Sequence, residues 1–297
     1  MAGSDFDFGA WMHAQLARVE AGLSRWVRRD APAGLGEAMR YAVLDGGKRL
    51  RPLLVLAACE AVGGQPEAAL RAACAVELIH AYSLVHDDMP CMDNDVLRRG
   101  KPTVHVRFGQ AQALLAGDAL QALAFEILTP EDGVPAAMQA RLCRLLALAA
   151  GADGMAGGQA IDLASVGLRL TEQELRHMHR LKTGALLRAS VVMGAACGQA
   201  GAAAEKALAQ YGEHVGLAFQ VVDDVLDVTQ DSCTLGKTAG KDAACDKPTY
   251  VSFMGLEAAR AHAEALRGQA HAALAASALA DTRALAALAD MVVRRSH

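Results

Sequence analysis

Aspartates gather in two places along the chain, each beside an apolar stretch. The first group reads H-D-D-M-P-C-M-D-N-D at 86–95, and the second reads D-D-V-L-D at 223–227. One such group alone is as often a solvated face or a helix cap. Carboxylates among Leu, Val and Phe side chains are costly to desolvate unless a cation neutralises them. Two groups in one chain therefore predict bound Mg²⁺, which commonly bridges carboxylates to substrate phosphates.

The spacing of the aspartates differs between the two groups. On a helix Asp223 and Asp227 are roughly 40° apart around the axis and one turn apart along it, so both face one side. Asp87 and Asp93 would be separated by roughly 120° on a straight helix and could not chelate together. Because Pro90 removes a helical hydrogen bond between them, we expect the helix to bend or unwind there and to bring Asp93 back toward Asp87.

Basic residues lie close to the first acidic group in the sequence. The segments G-G-K-R-L-R-P at 46–52 and R-R-G-K-P at 98–102 carry three cations each, and K-T-G follows at 182–184. Each segment alone is typical of a solvated surface. Together with the carboxylates they indicate one phosphate group held through Mg²⁺ and another held by guanidinium and ammonium groups without metal.

The elements that must position these residues are predicted to be helices. The chain is 53% hydrophobic but only 4% aromatic, a composition that favours helices over strands. A capping box at 171–174 opens a helix expected to run to about Cys197, and a second long helix is expected from about Ala204 to Asp227. Gly157-Gly158 indicates a break between helices. The polar stretch 229–247 is typical of an active-site loop or lid.

Composition also narrows the class of protein. A formal net charge of −4 gives no general attraction to nucleic acid, so none is expected as a partner. None of the seven cysteines forms a C-x-x-C pair, which argues against a disulfide framework and a zinc site. A P-loop at 231–238 is excluded because Asp231 stands where glycine is required. With no signal-peptide pattern and no run of 18 or more apolar residues, we expect a cytoplasmic protein without a membrane segment.

Four ordered motifs carry a resemblance to a known family. They are G-G-K-R-L-R-P at 46–52, H-D-D-M-P-C-M-D-N-D-V-L-R-R-G-K-P-T at 86–103, K-T-G-A-L at 182–186 and F-Q-V-V-D-D-V-L-D at 219–227. The chain resembles the trans-prenyltransferase, or polyprenyl synthase, family, and within it bacterial farnesyl diphosphate synthases. The resemblance extends from about residue 10 to the C-terminus.

This resemblance implies a fold and a reaction. The fold would be the isoprenoid synthase fold, an all-α antiparallel bundle around a deep central cavity, forming one domain over 1–297 and acting as a homodimer. The reaction would be the head-to-tail condensation of isopentenyl diphosphate with dimethylallyl or geranyl diphosphate to give farnesyl diphosphate. Ionisation of the allylic diphosphate would be assisted by about three Mg²⁺ ions per active site.

The resemblance also implies roles for individual residues. Asp87 and Asp93 would bind two Mg²⁺ ions and Asp223, with Asp227 beside it, a third. The residues implied in catalysis are Asp87, Asp88, Asp93, Lys182, Asp223 and Asp224. Those implied to hold the allylic diphosphate are Arg98, Lys182, Thr183, Gln220, Lys237 and Lys247. Those implied to hold the diphosphate of isopentenyl diphosphate are Lys48, Arg51, His80 and Arg99. Val96 departs from the family pattern, where many relatives carry another acid, and we expect a small effect.

Product length is expected to depend on Tyr82. This residue precedes Asp87 by five positions, roughly 7.5 Å deeper along a helix. By resemblance its ring, with neighbouring Ser83, forms the floor of the tunnel for the growing chain, and a farnesyl product follows. On the residues alone, Tyr82 could be a core residue, and His80 is more often a core histidine than a ligand. His177 and His179 are expected at the surface.

Three other functions compete with this interpretation. A geranylgeranyl diphosphate synthase should carry a small residue at position 82. A terpene cyclase ionises a prenyl diphosphate too, but it needs no second diphosphate site, so the basic residues Lys48, Arg51 and Arg99 argue against it. A regulatory subunit of a heteromeric synthase could lose carboxylates, whereas both groups are intact here.

Overall fold

A computed structural model of the chain describes residues 6–44, 46–168, 170–229 and 249–294. Nearly all of this is helical, as predicted. The helices are α1 (Phe8–Trp26), α2 (Leu35–Leu44), α3 (Leu50–Ala61), α4 (Pro66–Asp87), α5 (Val104–Phe108), α6 (Gln110–Leu128), α7 (Ala136–Ala150), α8 (Met155–Ala164), α9 (Glu172–His179), α10 (Ala185–Ala196), α11 (Ala202–Thr229), α12 (Tyr250–Met254), α13 (Leu256–Ala276) and α14 (Arg283–Arg294). A 3₁₀ turn, Pro32–Gly34, precedes α2.

The helices pack in a row that explains the apolar sequence at its centre. Helix α6 packs on α4, α4 on α3, α3 on α10, α10 on α11, and α11 on α13. Because α4 has a neighbour on each side, apolar residues such as Leu78 and Ile79 are buried around most of its circumference. One core cluster centres on α4 and α6, and a second on α11 and α13. The predicted all-α bundle is confirmed.

The capping box at the start of α9 is confirmed. Thr171 Oγ1 accepts a hydrogen bond from the backbone N–H of Glu174 at 3.3 Å, and Glu174 Oε2 accepts one from the N–H of Thr171 at 2.8 Å. The helix expected to reach about Cys197 is present, but a π-helical turn, Arg180–Gly184, separates α9 from α10. The predicted helix from about Ala204 to Asp227 corresponds to α11.

Two local predictions were wrong. Gly157 and Gly158 lie inside α8 and do not separate helices. Strands were not expected, yet β1 (Leu97–Arg98) pairs antiparallel with β2 (Lys101–Pro102). Arg99 and Gly100 between them have φ values of 53° and 74°, and two consecutive positive φ values are typical of a type I′ hairpin turn. Such a short hairpin leaves little apolar alternation in the sequence to reveal it.

Two helices of the described residues, α4 and α6, are long and apolar enough to cross a membrane by length and composition. They pack on each other within the bundle. The most apolar window of α4 is 67% buried there, and that of α6 is 39% buried. Helices in the core of a protein pass the same test, so the observation is weak evidence for a membrane span.

Candidate active site

A cavity of about 360 Å³ lies between α4, α8 and the π turn. Its lining brings together residues that are far apart in the sequence. The predicted site residues among them are Arg51, His80, Tyr82, Ser83, Asp87, Lys182 and Thr183. A larger hollow of about 920 Å³ lies against α9 and the outer face of the π turn, and none of the predicted site residues lines it. The smaller cavity is therefore the candidate active site.

The first aspartate motif lies where α4 ends. The helix stops at Asp87, and the chain turns so that the backbone N–H of Asp93 donates to the carbonyl O of Asp87 at 2.9 Å. Pro90 lies within this turn, and Asn94, with φ of 51°, closes it. The prediction that the helix unwinds and returns Asp93 toward Asp87 is confirmed.

Asp88 is turned away from the cavity. It is 2% exposed and accepts hydrogen bonds from Nε and Nη2 of Arg98, the shortest at 2.5 Å. This fork-to-carboxylate pair is the geometry in which guanidinium contacts are strongest. Asp88 therefore anchors the hairpin that carries Arg98 and Arg99 to the end of α4.

The second aspartate motif lies inside the continuous helix α11. Asp223 is partly exposed and lies near enough to Arg51 for their charges to interact. Asp227 is on the same side of the helix one turn later and is 5% exposed. Asp224 is 3% exposed and accepts hydrogen bonds from Gln220 Nε2 at 2.9 Å and from the backbone N–H of Tyr250 at 2.8 Å.

The charge balance at the cavity mouth favours a divalent cation. Burial, partly offset by Lys182 and reinforced by the nearby carboxylate of Asp93, raises the pKa of Asp87 to about 6. Within the described ranges no three carboxylate, His or Cys side chains converge into a ready metal cage. Mg²⁺ usually binds through one or two carboxylates together with waters and substrate phosphates, so this donor set fits it.

Lys182 and Thr183 are presented to the cavity by the π turn. Lys182 Nζ donates to Asp162 Oδ2 at 2.6 Å, and Thr183 Oγ1 donates to Gln220 Oε1 at 2.9 Å. π turns inside helices are frequent at functional sites because the extra residue re-aims the side chains. Two predicted phosphate ligands thus lie side by side on one wall.

The opposite part of the lining is cationic. Nε of Arg51 is buried and has no hydrogen-bond partner in the described part of the chain. The pKa of His80 lies well below its usual value because the ring is buried and because Arg51 and Arg99 are close. His80 is therefore neutral at pH 7. A buried guanidinium with an unused N–H favours an anion beside it.

The two basic segments meet at this end of the cavity. Arg99 Nη1 donates to the carbonyl O of Gly46, and the guanidinium packs on Gly47. A Cβ added at Gly47 would lie 2.8 Å from Nη1, and the φ of 129° there also favours glycine. Lys48 follows in the same loop and is exposed.

Arg49, the middle cation of the 46–52 segment, points into the core. It is 3% exposed, donates to Glu20 Oε1 and Glu77 Oε1 at 2.7 Å each, and donates to the carbonyl O of Val43 at 2.6 Å. Its contacts fix the start of α3. Arg51, two residues further on, lines the cavity.

Tyr82 lies on α4, five residues before Asp87. Its ring lines the cavity and meets the ring of His86 edge to face, with centroids 5.7 Å apart. Burial raises the pKa of its hydroxyl, and a hydrogen bond with Gln121 of α6 partly offsets that shift. Tyr82 also packs against the core cluster of α4 and α6.

Some predicted residues are not described by the structure, and one predicted position was wrong. Lys237, Lys247 and most of the polar stretch 229–247 lie outside the described residues. His177 is exposed, as expected, but the surface prediction for His179 was wrong. His179 is 7% exposed and stacks on Tyr250 with centroids 5.5 Å apart. Its burial depends on α12, which no local pattern could place there.

Sequence reasoning missed two polar residues of α8. Asp162, 5% exposed, holds Lys182, and Gln159 lines the cavity with a buried Nε2 that has no hydrogen-bond partner among the described residues. Only their spacing could have signalled them. Gln159 and Asp162 are three residues apart and so share one helical face.

Fold and site together define a helical enzyme with carboxylates and cations around one apolar cavity, suited to diphosphates. The chain matches the polyprenyl synthetase family over residues 32–285 and belongs to it. Its bundle is the isoprenoid synthase fold expected from the resemblance. It is a trans-prenyltransferase that elongates prenyl chains.

Relatives of known name agree with this family and differ in product. A farnesyl diphosphate synthase of Geobacillus stearothermophilus is 44% identical, covering 97% of this chain and 97% of that protein. The heterodimeric geranylgeranyl pyrophosphate synthase large subunit 1 of Arabidopsis thaliana is 47% identical, covering 99% and 81%. The crystal structure of a geranyltransferase from Helicobacter pylori complexed with magnesium and isoprenyl diphosphate superposes with a TM-score of 0.84 at 33% identity, covering 99% and 98%.

Proposed function

We propose that the chain condenses isopentenyl diphosphate with dimethylallyl and geranyl diphosphates and releases farnesyl diphosphate. The observation that carries the proposal is the position of Tyr82, which lines the cavity five residues before Asp87 on α4. A growing chain that starts at Asp87 and extends along α4 would meet this ring after a fixed length. A bulky residue there favours a short product over a geranylgeranyl one.

The allylic diphosphate is proposed to lie between the two aspartate motifs. Mg²⁺ bound by Asp87, Asp93 and Asp223 would neutralise the leaving diphosphate and so assist ionisation at the allylic carbon. Lys182 and Thr183 would hold the same diphosphate from the π turn. Donors fixed in advance in a dry site stabilise developing charge more than they would in water. The carboxylates set the magnesium dependence, and about three ions are expected by family resemblance.

The second diphosphate is proposed to lie on the cationic side. Arg51 and Arg99 supply charge, the neutral ring of His80 supplies a hydrogen bond, and Lys48 lies in the adjoining loop. Isopentenyl diphosphate bound there points its double bond toward the allylic carbon. The carbon–oxygen bond of the allylic diphosphate breaks, the new carbon–carbon bond forms, and a proton is then lost to the released diphosphate. The presence of this cationic site argues against a terpene cyclase.

The assembly and location follow the same resemblance. We propose a homodimer in the cytoplasm, with no nucleic acid and no membrane as partner. Exposed apolar side chains on α6, Leu114 and Leu115 at 47% and 52% exposure, are consistent with a covered surface.

Product analysis of Tyr82 variants tests the proposal. Purified protein with Mg²⁺, isopentenyl diphosphate and geranyl diphosphate should give farnesyl diphosphate, sized by chromatography after dephosphorylation. Tyr82→Ala and Tyr82→Met open the floor and should shift the product toward geranylgeranyl diphosphate or longer. Tyr82→Phe keeps the ring and is the matched control, with an unchanged product.

Two results would contradict the proposal. Geranylgeranyl diphosphate as the main product of the unmodified chain would favour the alternative synthase. An unchanged product from Tyr82→Ala would remove Tyr82 as the floor and leave the choice of product to another part of the cavity.

A further inference from the structure

The π turn lies between two helices that each approach it through a glycine. A Cβ added at Gly158 of α8 would lie 2.1 Å from the backbone N and 2.5 Å from the Cα of Lys182. A Cβ added at Gly216 of α11 would lie 3.1 Å from the Cα of Gly184. Backbone thus meets backbone on both sides of the turn. At Gly158 only glycine allows this approach without displacing the turn, and at Gly216 an added Cβ would make a tight contact with it.

One helical turn beyond each glycine, the same helix supplies a polar side chain to the π turn. Asp162 follows Gly158 by four residues and accepts from Lys182 Nζ at 2.6 Å. Gln220 follows Gly216 by four residues and accepts from Thr183 Oγ1 at 2.9 Å. Residues four apart on a helix share a face, so each helix contacts the turn once with its backbone and once with a side chain.

The polar contacts fix the orientation of the Lys182 and Thr183 side chains. Asp162 is 5% exposed, and a charge-assisted bond in such surroundings is stronger than one in water. Both ends of the Gln220 amide are in use, because Nε2 donates to the buried Asp224 at 2.9 Å. Asp224 in turn accepts from the backbone N–H of Tyr250. The hydroxyl of Thr183 is therefore fixed through two buried or half-buried side chains.

We propose that Gly158 and Asp162 of α8, opposite Gly216 and Gln220 of α11, form a two-sided clamp on the π turn that aims Lys182 and Thr183 at the allylic diphosphate. In this clamp Asp162 and Gly158 are positioning residues for the allylic substrate, and they act through Lys182. The inference rests on the proposed function of Lys182 and Thr183. It assigns the clamp no part in binding isopentenyl diphosphate.

A double-mutant cycle between Asp162 and Lys182 tests the clamp. The variants are Asp162→Asn, Lys182→Met and the double variant, with kcat and both KM values measured separately for geranyl and isopentenyl diphosphates. We expect Asp162→Asn to lower kcat/KM for geranyl diphosphate about 10- to 100-fold, the size typical of a lost supporting contact or a misplacement near 1 Å. KM for isopentenyl diphosphate should stay within about twofold, because a positioning defect on one wall leaves the other site intact.

The cycle separates positioning from bulk stability. In the Lys182→Met background, Asp162→Asn should cause little further loss, because its effect passes through the lysine. Asp290→Asn is the matched control, since it removes another partly buried carboxylate that pairs with Arg267 and His271 far from the cavity. It should lower the unfolding midpoint without changing either KM.

The glycine half of the clamp has its own variant. Gly158→Ala should lower kcat/KM for geranyl diphosphate at least as much as Asp162→Asn does, because the added methyl must displace the backbone of Lys182. Gly268→Ala is the control, because a Cβ at this mid-helix position of α13 meets nothing within 4 Å. If Gly158→Ala does not fold, the close approach is supported and the cycle decides the role.

Three outcomes would overturn the clamp. In the first, Asp162→Asn has an unchanged or higher kcat/KM for geranyl diphosphate while Lys182→Met is strongly impaired. This result overturns the clamp but leaves the proposed role of Lys182 intact. In the second, the fold-losses of kcat/KM in the two single variants multiply in the double variant. This result also overturns the clamp, because Asp162 would then not act through Lys182. A silent Lys182→Met overturns the proposed role of Lys182 and the clamp with it, so the two failures are distinguishable.

Discussion

The two aspartate motifs bring their carboxylates together with different backbone structures. The first lies where α4 ends, and Asp87 and Asp93 in it are six residues apart, so the chain must leave the helix to bring them together. The second lies within the unbroken helix α11, where a spacing of four suffices. A turn carries the first pair and a rigid helix carries the second.

In both motifs the two adjacent aspartates differ in burial. Asp87 and Asp223 are partly exposed, whereas Asp88 and Asp224 are 2% and 3% exposed and bonded to protein groups. Asp88 holds Arg98, and Asp224 holds Gln220 and the start of α12. In each motif the first aspartate is partly exposed, and the second joins its motif to the next element of the chain.

The largest effects should come from the first aspartate of each motif. Asp87→Asn and Asp223→Asn should each lower kcat by about 10²–10³-fold or more, because each removes charge aimed at the leaving diphosphate. The measurement is kcat at saturating substrates over a range of Mg²⁺ concentrations, with unfolding followed in parallel. An activity near that of the unmodified chain in either variant would break the proposed equivalence of the motifs.

Replacing the second aspartate of each motif should affect kcat less and the stability of the fold more. Asp88→Asn and Asp224→Asn should lower kcat only about 10- to 100-fold, since each acts through other residues. Each should also lower the free energy of unfolding by about 1–3 kcal/mol, because a buried bonded carboxylate is lost from its partners. Urea unfolding checks this. Larger losses of kcat than in Asp87→Asn, without loss of stability, would contradict the division of roles.

The smallest effect concerns the buried surroundings of the second motif. His179 stacks on Tyr250, whose backbone N–H is held by Asp224. Burial lowers the pKa of His179 from 6.5 to about 4. Between these values the unfolded chain binds a proton that the folded chain does not, so stability is lost as pH falls from about 6.5 to about 4.

Replacing His179 should therefore flatten the acid side of the stability profile. His179→Phe keeps an aromatic ring against Tyr250 and should reduce the slope of unfolding free energy against pH between about 4 and 6.5. His177→Phe, at the exposed position two residues earlier, is the control and should leave the slope unchanged. Equal slopes in His179→Phe and the unmodified chain would show that the ring is not held neutral in the folded state.

Much of this site could be predicted because its determinants are local. The unwinding beyond Asp87 follows from Pro90, which removes a helical hydrogen bond. The capping box follows from Thr171 and Glu174, three residues apart. The partner of Lys182 could not be predicted, because Asp162 reaches it only when α8 packs on the π turn. The same reason applies to His179, whose burial is decided by α12, and to Arg49, which turns toward Glu77 rather than toward the cavity.

The central claim is that both aspartate motifs hold cations on one diphosphate. Mn²⁺ in place of Mg²⁺ allows bound ions to be counted by the loss of the free-ion signal in electron paramagnetic resonance, with inorganic diphosphate as the ligand. We predict that diphosphate increases Mn²⁺ binding to the unmodified chain, and that Asp87→Asn and Asp223→Asn each reduce both the bound ions and the affinity for diphosphate. Diphosphate-dependent Mn²⁺ binding that is unchanged in Asp223→Asn would contradict the account.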